Sequence, residues 1–191
     1  MVEIYKDAWG VVKKDYLAWV VLYGLFLLVA TVTFGFGGVL MPNVLRESRD
    51  AIAEGRGPKA GAIFDFSRIA NDVFNYGVYY LAITVTSFVG LTFIAQIGLG
   101  WQMLLAAEDR YAPLDNAKLS FKHAMSHLGD HVLFMLLGSA LVLPTACLCF
   151  LPLPLVMPIF GAAQVIWFNR ERENFESMAD ASGILRQVSA S

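Results

Sequence analysis

"LAWVVLYGLFLLVATVTFGFGGVL", residues 17–40, runs for 24 positions without a charged side chain. An α-helix needs about 20 mostly apolar residues to cross a bilayer, so this stretch predicts a transmembrane span. It is too long for the apolar segment of a secretory signal, and "GGVLMPN" (37–43) makes a poor small-residue cleavage site. The run is therefore read as a retained membrane anchor.

Composition points the same way. The 191 residues are 57% hydrophobic and 16% charged, against about 25% charged in an average soluble domain. Mean hydropathy is +0.58. A net charge of −2 supplies no positive field, which excludes nucleic acid as an expected partner. Cys147 and Cys149 both lie in an apolar run and would point to different sides of a helix. They are read as small buried hydrophobes rather than a disulfide or a metal pair.

Two further apolar stretches follow. Tyr76 to Ala107 carries no charge, and as one helix it would be about 48 Å long. It is either one long tilted helix, with a core near 76–105, or two short spans turning near Gly90. "SFVGLTF" (87–93) has no Asn, Asp or Pro to make a turn, which favours the single helix. His131 to Phe168 is too long for one span, and prolines 152, 154 and 158 in "CFLPLPLVMP" divide it. Proline removes a helical donor and biases the preceding residue towards extended backbone. A hairpin between spans at 131–149 and 154–168 is expected. The predicted fold is thus an all-α polytopic transmembrane helix bundle of about four spans, one domain over 1–175, with a polar tail over 176–191.

"WQMLLAAEDR" (101–110) and "AQVIWFNRER" (163–172) align when Gln102 is set on Gln164, which places Arg110 on Arg172. This suggests two parallel two-span halves. In that arrangement nine of the fourteen Lys and Arg residues share a face with both termini, while Arg46, Arg49, Arg56, Lys59 and Arg68 lie opposite. The positive-inside rule then makes the termini cytoplasmic. A hairpin within 76–107 would instead bring the 41–75 loop to the face of the 106–130 loop and the C-terminus.

The loop over 43–75 has apolar residues at helical spacing with charges between them, broken by "GRGPKAG" (55–61). It is expected to lie along the membrane surface as amphipathic helices. Trp19, Trp101 and Trp167, with Tyr76, Tyr79 and Tyr80, suit interfacial aromatic belts. No nucleophile elbow, phosphate loop, HExxH or CxxC occurs, and no catalytic residue is assigned. The intramembrane polar candidates are Gln96, Gln102 and Gln164, suited to interhelical hydrogen bonds or to a polar path. Glu108 and Asp109 adjoin Arg110, which is expected to neutralise them.

All three histidines fall in "KHAMSHLGDH" (122–131). His123 and His127, or His127 and His131, share a face of a helix and could clip one ion. His123 and His131 are about 12 Å apart along an ideal axis, so the three could not share a metal. A complete metal or pigment site would need further ligands such as Asp115, Asp130 or Glu108. The alternative is an interfacial ramp into the third span, and no cofactor is predicted.

"AWGVVKKDYLAWVVL" (8–22), "EGRGPKAGAIFDF" (54–66), "LSFKHAMSHLGDHVLF" (119–134) and "WFNRERENF" (167–175) together resemble a loose group of bacterial membrane proteins. Some of these look like the membrane portion of glycerophosphodiester phosphodiesterases. The resemblance covers nearly the whole chain and implies a helical inner-membrane protein. It carries no catalytic residues across, because the phosphodiesterase domain is absent. The leading functional expectation is a non-enzymatic accessory or scaffold subunit, with membrane lipids and other integral membrane proteins or further copies as partners. A small-solute or lipid-handling permease is the alternative.

Overall fold

The computed structural model describes residues 1–33, 35–88, 91–147 and 152–184. Among these the chain is all-α, with seven helices of eleven or more residues, two of seven, and no strand. Helix α1 (Val2–Val12) passes through a 3₁₀ turn into α2 (Tyr16–Val32), and a second 3₁₀ turn (Phe36–Leu40) leads into α3 (Met41–Glu54). After a third such turn (Ala60–Phe64) come α4 (Ile69–Phe88), α5 (Thr92–Gly98), α6 (Gln102–Glu108), α7 (Pro113–Ser126), α8 (Leu128–Cys147) and α9 (Leu153–Ala181). The longest helix, α9, packs against α1, α2, α3, α7 and α8. Gly161 makes the α2–α9 approach possible, because any Cβ there would overlap the buried ring of Tyr23.

Two helical stretches are long and apolar enough to cross a membrane among the described residues, Val2–Val32 and Leu128–Thr145. In the most apolar window of each only 22% of residues are buried, so their apolar surface faces outward, as at Leu17, Leu28, Leu136 and Leu143. The predicted spans differ from these helices in bounds or in form. The run at 17–40 is helical only to Val32. There Thr33 turns its hydroxyl back onto the Val29 carbonyl at 2.7 Å and accepts the Gly37 N–H, while Gly35 adopts φ 92°. The 76–105 stretch is divided among α4, α5 and α6. Ser120 of α7 sits at the second break, its hydroxyl donating to the Gly98 carbonyl (2.8 Å) and accepting the Trp101 N–H (3.1 Å). A side chain from outside the helix thereby satisfies backbone groups that a continuous helix would pair internally.

The 131–149 span begins earlier, at Leu128, with Pro144 inside it. Cys149 and the turn expected near 150 lie outside the described residues. The 154–168 span becomes α9, which tolerates Pro154 in its first turn and continues to Ala181 with Phe175 and Ala179 buried. The first residues of the expected polar tail are thus helical, and 185–191 lie outside the described residues.

The largest departure is α3. The expected surface helix is inside, with Asn43, Val44, Leu45, Glu47, Ser48 and Ala51 buried. Its polar side chains go in already paired. Arg46 grips Asp72 of α4 through both terminal nitrogens (2.6 and 3.1 Å), donates to the Ala107 carbonyl (3.2 Å) and reaches Asn43. Arg49 meets Glu108 at 3.2 Å. Glu108, whose side chain is 4% exposed, also holds Arg110 (3.1 Å) and Arg172 (2.9 Å). Neutralisation by Arg110 was expected. The convergence of Arg110 and Arg172, the two arginines that the sequence alignment sets on each other, on one carboxylate was not. Asp15, at the start of α2, lies against Gly57. The 41–75 loop therefore shares an end with the start of α2, the end of α6 and the 170–176 stretch, rather than lying opposite them.

Replacing Arg46 with Met should leave Asp72, fully buried, without its counter-ion and cost about 3 kcal/mol of stability. Thermal unfolding in detergent reads this as a clear fall in midpoint. Lys118→Met, which breaks only the exposed pair with Asp115, should change stability by less than about 0.5 kcal/mol.

Candidate functional site

A helix break builds the site. His127 closes α7 with φ −125° and ψ 39°, outside helical space, so α8 leaves in a new direction. His123 and His131, which a straight helix would hold about 12 Å apart, consequently meet, with His123 Nδ1 3.1 Å from His131 Nε2. Neither sits at a wet boundary, being 0% and 4% exposed. The Trp101 indole N–H donates to His131 Nε2 at 2.9 Å. On the other side His123 Nε2 faces Glu171 Oε2 at 3.3 Å, and the Asn174 amide donates to that same oxygen at 2.6 Å. His127, half-buried, stacks on the His123 ring at 4.7 Å, and Phe175 covers the ring's other surroundings at 4.2 Å.

Trp101 and Trp167, expected at the membrane interface, form this core instead, 4.7 Å apart and 2% and 3% exposed. Trp19 is buried as well, stacked on Tyr23. A polar N–H with a buried partner lets an indole go inside. Both ring nitrogens of His123 and the Nε2 of His131 are engaged in the hydrogen-bonded chain. No group of three or more His, Cys, Asp or Glu side chains is placed to hold a metal ion among the described residues. Burial holds His123 below the usual histidine range, opposed by the hydrogen bond and charge of Glu171. For Glu171 burial acts upward, but the hydrogen bonds from Asn174 and His123 leave it below the ordinary carboxylate value.

Beside this chain lies a cavity of about 420 Å³, walled by Phe26, Met41, Leu45, Tyr79, Met103, Met135 and Phe160 with Gln96 and Gln164 as its amides. A second space of about 20 Å³ borders His131, Trp101 and Trp167 and shares Gln96, Gly100, Met135 and Gln164 with the larger one. That volume suffices for one water molecule. Two of the three candidate glutamines thus come together on the cavity wall. Gln102 does not, because it is fully buried and ties α6 to α4 by donating to the Asn75 carbonyl at 2.9 Å. Sequence reasoning missed Trp101 and Glu171 as partners of the histidines. The signal available was Gly129 and the weak helical character around it, which allow the change of direction.

No known protein family, curated protein or solved structure matches the chain.

The depressed value of His123 means that the unfolded chain binds its proton more tightly than the folded one. Stability is then present above the usual histidine range and is lost as pH falls towards the lower folded value. Between about pH 7 and pH 5 the thermal midpoint of the wild type should fall more steeply than that of His123→Gln, measured in the same detergent.

Proposed function

We propose that the chain is a multi-pass membrane protein that binds and handles a lipid-like amphiphile in its central cavity, without catalysing a reaction. The cavity itself carries this reading. At about 420 Å³ it falls within the roughly 300–1,000 Å³ of ligand pockets, and its wall has their usual character, apolar with a few polar groups. Gln96 and Gln164 offer amide donors and acceptors to the polar end of a ligand, while apolar and aromatic side chains of α2, α3, α4, α6, α8 and α9 receive the chain. Among the described residues the wall supplies no carboxylate, cysteine, serine or lysine, which suits binding and transfer rather than covalent chemistry.

The outward apolar surfaces of α2 and α8 support insertion in the cell membrane. The end that gathers Arg49, Arg56, Arg110, Arg170 and Arg172 is the one assigned to the cytoplasm by the positive-inside rule. The same exposed apolar surfaces favour a second reading, in which the protein packs as an accessory subunit against other membrane proteins or a second copy. Those surfaces and a cavity-bound amphiphile are compatible, so the two readings are separated by what co-purifies.

Native mass spectrometry of the protein in mild detergent should show a retained amphiphile, and a fluorescent fatty-acid probe should compete for its place. Met135→Trp fills the wall shared by both spaces and should weaken probe binding about tenfold, equivalent to about 1.4 kcal/mol. Absence of both a bound amphiphile and probe binding, or equal binding by Met135→Trp, would overturn the reading. Co-purification of a stoichiometric protein partner without an amphiphile would favour the accessory-subunit role.

A further inference from the structure

Hydrogen-bond donors along the histidine chain do not balance unless one proton is added. An indole N–H can only donate, so at 2.9 Å from Trp101 the Nε2 atom of His131 must be an acceptor. His123 Nδ1 faces that same Nε2 at 3.1 Å; if bare, it would set two lone pairs against each other, so it carries a hydrogen that shares the Nε2 lone pair with the indole N–H. A neutral imidazole has only one, which leaves His123 Nε2 bare, 3.3 Å from a carboxylate oxygen of Glu171. Two acceptors then face each other. The reverse assignment, with the proton on His123 Nε2, moves the same conflict to the contact between the two histidines.

We propose that His123 and Glu171 form a proton-binding site, which takes up one proton from solvent on His123 Nε2 and thereby completes the chain Trp101–His131–His123–Glu171. The uptake forms one N–H bond, breaks one O–H bond of hydronium, and changes the charge of the pair from −1 to 0. A buried pair of zero net charge is much less costly than a lone buried carboxylate or imidazolium. Without the proton the Glu171 contact is repulsive. Glu171, 23% exposed, then keeps its bond from Asn174 and turns from His123. Loading thus reports pH as a closed or open contact between α7 and α9.

The titratable groups facing His123 are His127 at the end of its own helix, His131 from α8 and Glu171 from α9. Trp101 and Phe175 contribute uncharged rings. Burial and the neighbouring His127 work against loading while Glu171 favours it, which places the transition on the acid side of the usual histidine range. The site stands whether or not the cavity holds an amphiphile. It does adjoin the cavity, since His131 borders the water-sized space that shares Gln96 and Gln164 with it.

Nitrogen NMR of histidine-labelled protein in detergent micelles tests this, each ring being assigned by its loss in its own Gln variant. At neutral pH His123 should be protonated on Nδ1 alone and His131 should have a bare Nε2. On acidification His123 should gain its second proton while His131 Nε2 stays bare. Glu171→Gln offers an amide donor to the bare Nε2 and removes the negative charge. Its His123 should bind the second proton about tenfold more weakly, shifting the transition to lower pH. Trp101→Phe removes the obligatory donor, so both rings can be satisfied with one proton each, and His123 should then carry its proton on Nε2 at neutral pH. A wild-type His123 protonated on Nε2 alone, no second protonation, or a Glu171→Gln protein titrating like the wild type would each overturn the proposal. Glu171 is partly exposed, so that variant decides the matter even if Trp101→Phe fails to fold.

Discussion

Burying the carboxylate of Glu108 is the constraint on which the arrangement turns. A lone buried carboxylate is prohibitively costly, and this one is made tolerable by arginines from three places: Arg49 of α3, Arg110 just beyond α6, and Arg172 of α9. Meeting that requirement fixes three helices at one end of the molecule. The Arg46–Asp72 pair adds α4 to the same set. With α3 drawn inward, Met41 and Leu45 become part of the cavity wall. The space proposed to hold an amphiphile thus depends on a helix held inward by ion pairs.

The histidine chain has a similar origin. Three imidazoles four residues apart look like a stripe on one helix, and on one helix the outer two could never meet. A single non-helical residue, His127, turns the chain between α7 and α8 and converts axial separation into contact. Trp101 reaches the pair because the 76–107 stretch also breaks, at a point where Ser120 satisfies the freed backbone groups. Both breaks are local departures from helix that tertiary hydrogen bonds stabilise. Together they concentrate aromatic rings, two imidazoles and a carboxylate in an otherwise apolar interior, where each donor and acceptor has to be matched.

Much of the plan was legible from the residues. The absence of charge over long runs required helices with apolar surfaces, and Pro154 fits the first turn of α9. Gly55 ends α3 in the left-handed conformation, φ 65°, where the loop reading placed a breaker. Arg110 neutralises Glu108 because the two are neighbours in sequence. The glutamines were recognised as the polar groups of the apolar stretches, although only Gln96 and Gln164 share a cavity.

What the sequence by itself determined was the kind of molecule: all-α, rich in uncharged apolar runs and without a recognisable catalytic motif, whereas of the four spans read from those runs the structure has two helices long and apolar enough for a membrane among the described residues. Tertiary structure alone decided where the polar residues go. Periodicity marks a helix with charges on one side as a surface helix, because an unpaired charge belongs in water. It cannot register that Asp72 and Glu108, distant in sequence, stand ready to pair with that helix inside. The same holds for the histidines, whose meeting depends on a turn that residue spacing treats as straight.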